Sequence, residues 1–339
     1  MSETKMDNKP LPPISGNPDS PLMGDIAGLP LPPTDPLSAM PMESHSQPDR
    51  GKSTLREMFF GPDGIHALPR VLIYLAMAWL IFQVEGWLLL SLRTRPNALW
   101  WRMFIEASMA LAAVLPGFVM ARIEQRPFGA FGLPIRRAFG RNFWIGTIWG
   151  IASLSFLMLT LRATGSFHFG SFALHGSRIW KFAAFYALLF LLTGFFEEFL
   201  FRGYSQWILT RGFNFWPAAL FLSTAFGYIH GANPGEAKTG LIAAGFIGFF
   251  LCLTLRRTGN LWWAIGFHSA WDWGESFLYS VPDSGALLPG HLLNSTLHGP
   301  LWLTGGSVGP EGSYLVFAVI GALWAFFDRA YPKVKYDAK

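Results

Sequence analysis

Residues 180–210 read WKFAAFYALLFLLTGFFEEFLFRGYSQWILT. A run this long and apolar reaches beyond the roughly 20 residues an α-helix needs to cross a bilayer core. Its centre nevertheless holds Glu197, Glu198 and Arg202, three charged groups in six residues. Glu198 and Arg202 are one helical turn apart, so an intrahelical ion pair can make their insertion tolerable. Glu197 projects about 100° away and has no partner along the helix. Structurally, both acids can simply pair with Arg202 or with another helix. Functionally, Glu197 is a carboxyl group held in an apolar setting, suited to act as a general base on water.

Similar apolar runs recur from Arg70 onward, at about 70–91, 101–121, 142–162, 180–210, 215–232, 239–255, 260–281 and 313–330. They predict an all-α fold, a polytopic bundle of about eight transmembrane helices. Composition agrees, since 51% of the 339 residues are hydrophobic and only 14% charged, against roughly 25% charged in soluble domains. Gly146 and Gly150 form the G-x-x-x-G spacing that lets helices approach closely. Residues 1–56 differ: they hold 11 of the 24 prolines and none of the aromatics. Such a stretch buries too little surface to offset chain entropy and is expected to be a disordered, Pro-rich cytoplasmic tail. Residues 57–339 then make up the transmembrane domain.

Lys and Arg counted in alternate flanks give 17 on the side of both termini and 7 on the other. Both termini are therefore expected in the cytoplasm, with the loop at 282–312, which has no Lys or Arg, facing outward. The net charge of +5 reads as membrane topology rather than nucleic-acid binding. A single cysteine, Cys252, excludes an intramolecular disulfide, thiolate metal clusters and C-x-x-C redox chemistry. Any metal would need His and carboxylate ligands.

Ionisable groups inside spans are costly, and each is a candidate for function. Glu85, Glu106 and Glu275 stand alone in the sequence, where a carboxyl can serve packing as well as chemistry. Two of the eight histidines lie within spans: His230, in Phe226-Gly227-Tyr228-Ile229-His230, and His268, in His268-Ser269-Ala270-Trp271-Asp272. Asp272 is one turn from His268 on the same face. If the fourth and fifth spans form a hairpin turning near 212–214, Glu197 and His230 lie at matched depth, roughly 25 Å from the turn. The seventh span enters from the same side and carries Asp272 about 20 Å deep. Glu, His, His and Asp thus converge in one layer, where water could be recruited and deprotonated and an oxyanion stabilised.

The E-E-x-x-x-R of 197–202, the F-x-x-x-H of 226–230 and the H-x-x-x-D of 268–272, in that order on separate spans, resemble the CPBP family of intramembrane proteases. That family is also called Abi. It includes the type II CAAX prenyl endopeptidases and bacterial proteins linked to bacteriocin self-immunity. The resemblance covers about 142–330 and implies a protease core there. It implies that Glu197 activates water with His230, that Glu198, Arg202 and Phe226 support the site, and that His268 and Asp272 stabilise the oxyanion. It further implies a membrane-associated peptide or protein substrate, a multi-pass protein of the bacterial inner membrane, and no nucleic-acid partner. The family is often described as metal-dependent, so the cofactor is either none or one divalent metal such as zinc, held by Glu197, His230 and His268. Eukaryotic prenyl proteases have Asn where this chain has Asp272. An ionised Asp would repel an oxyanion and a protonated one could donate to it.

The sequence contains neither an H-E-x-x-H zinc-protease motif nor a G-x-S-x-G serine centre. Two other functions suit a membrane bundle with buried Glu and His. One is a non-catalytic peptide-binding or immunity protein, against which the full set of site residues argues. The other is a transporter, which would usually bring broken helices or inverted repeats.

Overall fold

The structure is a computed structural model that describes residues 60–61, 64–91, 99–233, 235 and 237–336. The expected tail at 1–56 lies outside the described residues. The fold is all-α. The long helices are α1 (Ala67–Ser91), α2 (Leu99–Ile123), α3 (Arg141–Ala163), α4 (Ser177–Glu198), α5 (Gln206–Phe213), α6 (Phe215–His230), α7 (Lys238–Thr258), α8 (Trp262–Trp273) and α9 (Leu315–Ala330).

Among the described residues, five segments are long and apolar enough to cross a membrane: Ala67–Leu88, Leu99–Ile123, Arg141–Ala163, Ser177–Phe213 and Lys238–Thr258. The expected count of eight therefore becomes five on length and composition. The other three apolar runs form shorter helices. α6 and α9 have 16 residues each, and α8 has 12 before passing into a six-residue π-helix, Gly274–Tyr279. Apolar composition alone did not reveal where these helices stop.

The fourth run is one 37-residue segment rather than a simple helix. At ~1.5 Å per residue it would measure about 55 Å, well over a ~30 Å hydrocarbon core. It is interrupted by a π-helical stretch, Phe199–Ser205, with Gly203 off helical geometry at ψ −115°. A side chain at Gly203 would strike the Phe199 ring. The chain reverses at Asn214 (φ 70°), where α5 gives way to α6. Gly259 (φ 79°) closes α7 by donating to the Leu255 carbonyl, and α8 starts three residues later.

Close helix approach explains why the charged helices meet. Gly146 and Gly150 on α3 face the Trp263 and Phe267 carbonyls of α8, and Gly266 on α8 faces the Phe143 carbonyl of α3. A methyl group at any of the three would collide with backbone. On the other side of α8, Gly194 of α4 lies where a Cβ would come within 2.7 Å of Ser269 Oγ. Small residues thus clamp α8 between α3 and α4, one turn from Glu197, Glu198 and His268.

Beyond α8, the 282–312 loop is tied down rather than free. Thr296–Leu297 pair antiparallel with Phe167–His168, and Leu293 bridges Phe172. The Gly285 N–H donates to the Val308 carbonyl at 2.9 Å. The loop therefore returns to the bundle and walls one end of its cavity.

Candidate active site

The π-helical stretch buries Arg202 completely, and Glu198 with it. Arg202 Nη1 lies 3.3 Å from Glu198 Oε1. The guanidinium also stacks over the Phe226 ring, 4.3 Å from its centroid, where the negative face of the aromatic quadrupole attracts the cation. Gly248 on α7 leaves room for it, since a Cβ there would lie 2.5 Å from Nη2. Phe226 links this pair to His230: its ring lies 4.4 Å from the imidazole, and its carbonyl accepts from His230 Nδ1–H at 2.7 Å. A carbonyl can only accept, so Nδ1 carries the proton and Nε2 is the basic nitrogen of neutral His230.

His268 is the hub. Its Nδ1–H donates to Glu198 Oε1 at 3.0 Å. Its Nε2 stands 3.6 Å from Glu197 Oε2 and 3.5 Å from Asp272 Oδ2. One carboxylate oxygen of Glu198 thus holds both Arg202 and His268, so the ion pair also orients the imidazole. Glu197 Oε2 is buried and has no hydrogen-bond partner among the described residues. A buried acceptor of this kind is complete only when a water or substrate group donates to it.

Glu197, His230, His268 and Asp272 all line one cavity of about 480 Å³, with mostly apolar walls. The sequence singles out these four, and the fold brings them to a common space. Glu106 stands alone in the sequence, yet it lines the same cavity, with Arg102 one turn before it on α2. Glu85 and Glu275 do not line it. Asp283 and Glu311, also cavity-lining, were missed. Their signal was present, because they are the only acidic residues in a loop without Lys or Arg. Burial pushes the Asp283 carboxyl well above the usual carboxylate range, and the neighbouring Asp272 and Glu311 add to the shift.

Glu197, His230 and His268 do not gather their donor atoms into a compact ligand set. Among the described residues, the one group whose ligand atoms all lie within 4.8 Å of one another is Glu275, Asp283 and Glu311. The cavity instead gathers a Glu197 oxygen without a hydrogen-bond partner among the described residues, the His230 imidazole, and a second imidazole bound to Glu198.

The family model described as type II CAAX prenyl endopeptidase Rce1-like matches residues 179–274. No curated protein and no solved structure matches the chain. The matched stretch runs from the start of α4 to the end of α8 and contains Glu197, Glu198, Arg202, Phe226, His230, His268 and Asp272. Residues 179–274 are thus similar to the Rce1-like domain of type II CAAX prenyl endopeptidases, in a chain that reads as a helical integral membrane protein.

Proposed function

We propose that this chain is an intramembrane endopeptidase that hydrolyses a peptide bond of a membrane-associated substrate with water activated by Glu197. The observation that carries this reading is the shared cavity: a Glu197 oxygen without a hydrogen-bond partner among the described residues, His230, His268 and Asp272 face one space within a stretch similar to CAAX proteases.

Water bound between Glu197 and His230 Nε2 gives its proton to the Glu197 carboxylate as its oxygen attacks the scissile carbonyl. The resulting oxyanion accepts from His268 Nε2–H and from protonated Asp272. Glu198, neutralised by Arg202, keeps His268 Nδ1–H engaged so that the Nε2 edge of the ring faces the cavity. Glu197 then returns the proton to the leaving amine, which completes the hydrolysis. No step is routed through a metal, because the donor atoms of Glu197, His230 and His268 are not gathered into a ligand set.

The cavity lies within the bundle, and its walls are mostly apolar. A substrate peptide carried by its own membrane anchor, lipid or helical, could reach it from the bilayer. In this reading the protease core spans about 142–330. Purified protein assayed in detergent against a library of acylated and prenylated peptides tests the proposal. Cleavage by wild type, absent with Glu197→Gln in equally folded protein, supports it; cleavage retained by the variant overturns it.

A further inference from the structure

Glu275, Asp283 and Glu311 come from three separate places: the π-helical extension of α8, the turn after it, and the short helix Pro310–Gly312. Their carboxylate oxygens all lie within 4.8 Å of one another. Two oxygens bound to one Ca²⁺ at ~2.4 Å can stand no more than about 4.8 Å apart. The trio thus already fits inside the ligand shell of a single ion. Three ionised carboxylates at such separations repel strongly unless a counter-charge joins them.

Glu275 supplies an independent observation. It is completely buried, and neither of its oxygens has a hydrogen-bond partner among the described residues. Trp271, one turn earlier, is near enough to influence the carboxyl group without closing a hydrogen bond of ordinary geometry. Leaving both oxygens of a buried carboxylate without a donor is costly. The other two carboxylates are oriented by donors outside the trio. Ser276 Oγ donates to Asp283 Oδ2 at 3.0 Å, and the Ser284 N–H donates to Glu311 Oε1 at 2.7 Å. Such outer contacts are how a ligand carboxylate is held in position for an ion.

We infer that Glu275, Asp283 and Glu311 form a binding site for a hard divalent cation, with Ca²⁺ as the best fit. The donors are oxygen only, with no imidazole or thiolate, which disfavours zinc. Three carboxylates on separate elements suit the six to eight oxygens and adaptable geometry of Ca²⁺ better than the water-rich octahedron of Mg²⁺. Water and nearby hydroxyl or carbonyl oxygens complete the shell. The bound ion clips the 282–312 loop to the end of α8, four residues beyond Trp271 and three beyond Asp272. It thereby fixes the end of the cavity that Asp283 and Glu311 line. Glu275 lies one residue beyond the matched family stretch.

The test is direct binding to the full chain in detergent after removal of divalent ions. Tb³⁺, excited through nearby tryptophan such as Trp271, reports occupancy, and Ca²⁺ competes it away. We expect one saturable site. Glu275→Gln and Glu311→Gln, each verified as folded by its circular dichroism and monodisperse elution, should weaken it by roughly tenfold or more. Ca²⁺ should raise the melting temperature of wild type and not of Glu275→Gln. Glu197→Gln should bind like wild type. Absence of saturable Ca²⁺, Mg²⁺ or Mn²⁺ binding up to ~10 mM, beyond the weak limit of about 10⁻³ M for extracellular Ca²⁺ modules, would overturn the site. So would binding that survives both carboxamide variants, or binding lost only with Glu197→Gln, which would belong to the hydrolytic centre. No substrate enters the measurement, so its failure leaves the endopeptidase reading intact.

Discussion

Replacing Arg202 by Met removes the cation paired with Glu198 while keeping much of the side-chain volume. Both members of the Glu198–Arg202 pair are fully shielded from solvent. Breaking such a pair from one side costs about 3–5 kcal/mol, because the surviving charge stays buried. Loss of the cation–π contact with Phe226, worth ~2 kcal/mol when desolvated, falls within that figure. At ~2.1 cal/mol/K of unfolding entropy per residue, 1 kcal/mol moves the melting temperature of a 339-residue chain by roughly 1.4 °C, so Arg202→Met should melt about 4–7 °C below wild type. Glu198→Gln should fall in the same range and also loosen His268, which it orients at 3.0 Å. The double variant leaves no unpaired charge and should recover a substantial part of the loss. Intrinsic tryptophan fluorescence during thermal unfolding in detergent reads all four proteins. Single variants as stable as wild type, or a double variant whose loss is the sum of the two, would refute the idea that this pair holds the site together.

Asp272→Asn should keep turnover within about tenfold of wild type, since a carboxamide can still donate to an oxyanion. Its activity should extend to higher pH, because the amide has no proton to lose; a dead but folded variant would instead make the carboxylate itself essential. Zinc chelation by 1,10-phenanthroline should leave proteolysis intact, and full inhibition reversed by added Zn²⁺ would show that the ligand set at Glu197 closes around a metal. Gly150→Val should destabilise the bundle by at least ~1–3 kcal/mol of overpacking, because its side chain would collide with the Phe267 carbonyl of α8. Loss of yield or melting temperature checks that, and unchanged stability would mean that α3 and α8 can separate without cost.

The sequence made the helical membrane character legible because apolar runs of sufficient length have few other solutions. It also exposed Glu197, His230, His268 and Asp272, since ionisable groups stand out against hydrocarbon and recur at one-turn spacings. What it concealed was backbone geometry. The Glu198–Arg202 turn is π-helical rather than α-helical, and Gly203 departs from helical geometry, neither of which alters the apolar pattern. The eight-span count rested on hydropathy, which does not reveal that α6, α8 and α9 are too short to meet the length of a full crossing. That Asp283 and Glu311 reach the cavity was hidden for another reason. They sit 28 residues apart in a loop, and only the strand pairing of 296–297 with 167–168 and the Gly285–Val308 contact bring that loop back to the cavity. Long-range contacts of this kind leave no periodic trace in sequence.

In the proposed mechanism Glu197 drives attack of water on a peptide bond within the bundle. Proteoliposomes carrying a cleavable membrane-anchored peptide, incubated in H₂¹⁸O and analysed by mass spectrometry, test it most directly. Wild type should release two fragments, the new carboxyl terminus bearing one solvent ¹⁸O, and folded Glu197→Gln should release none. Fragments formed equally by the variant, or a product lacking solvent oxygen, would contradict the account.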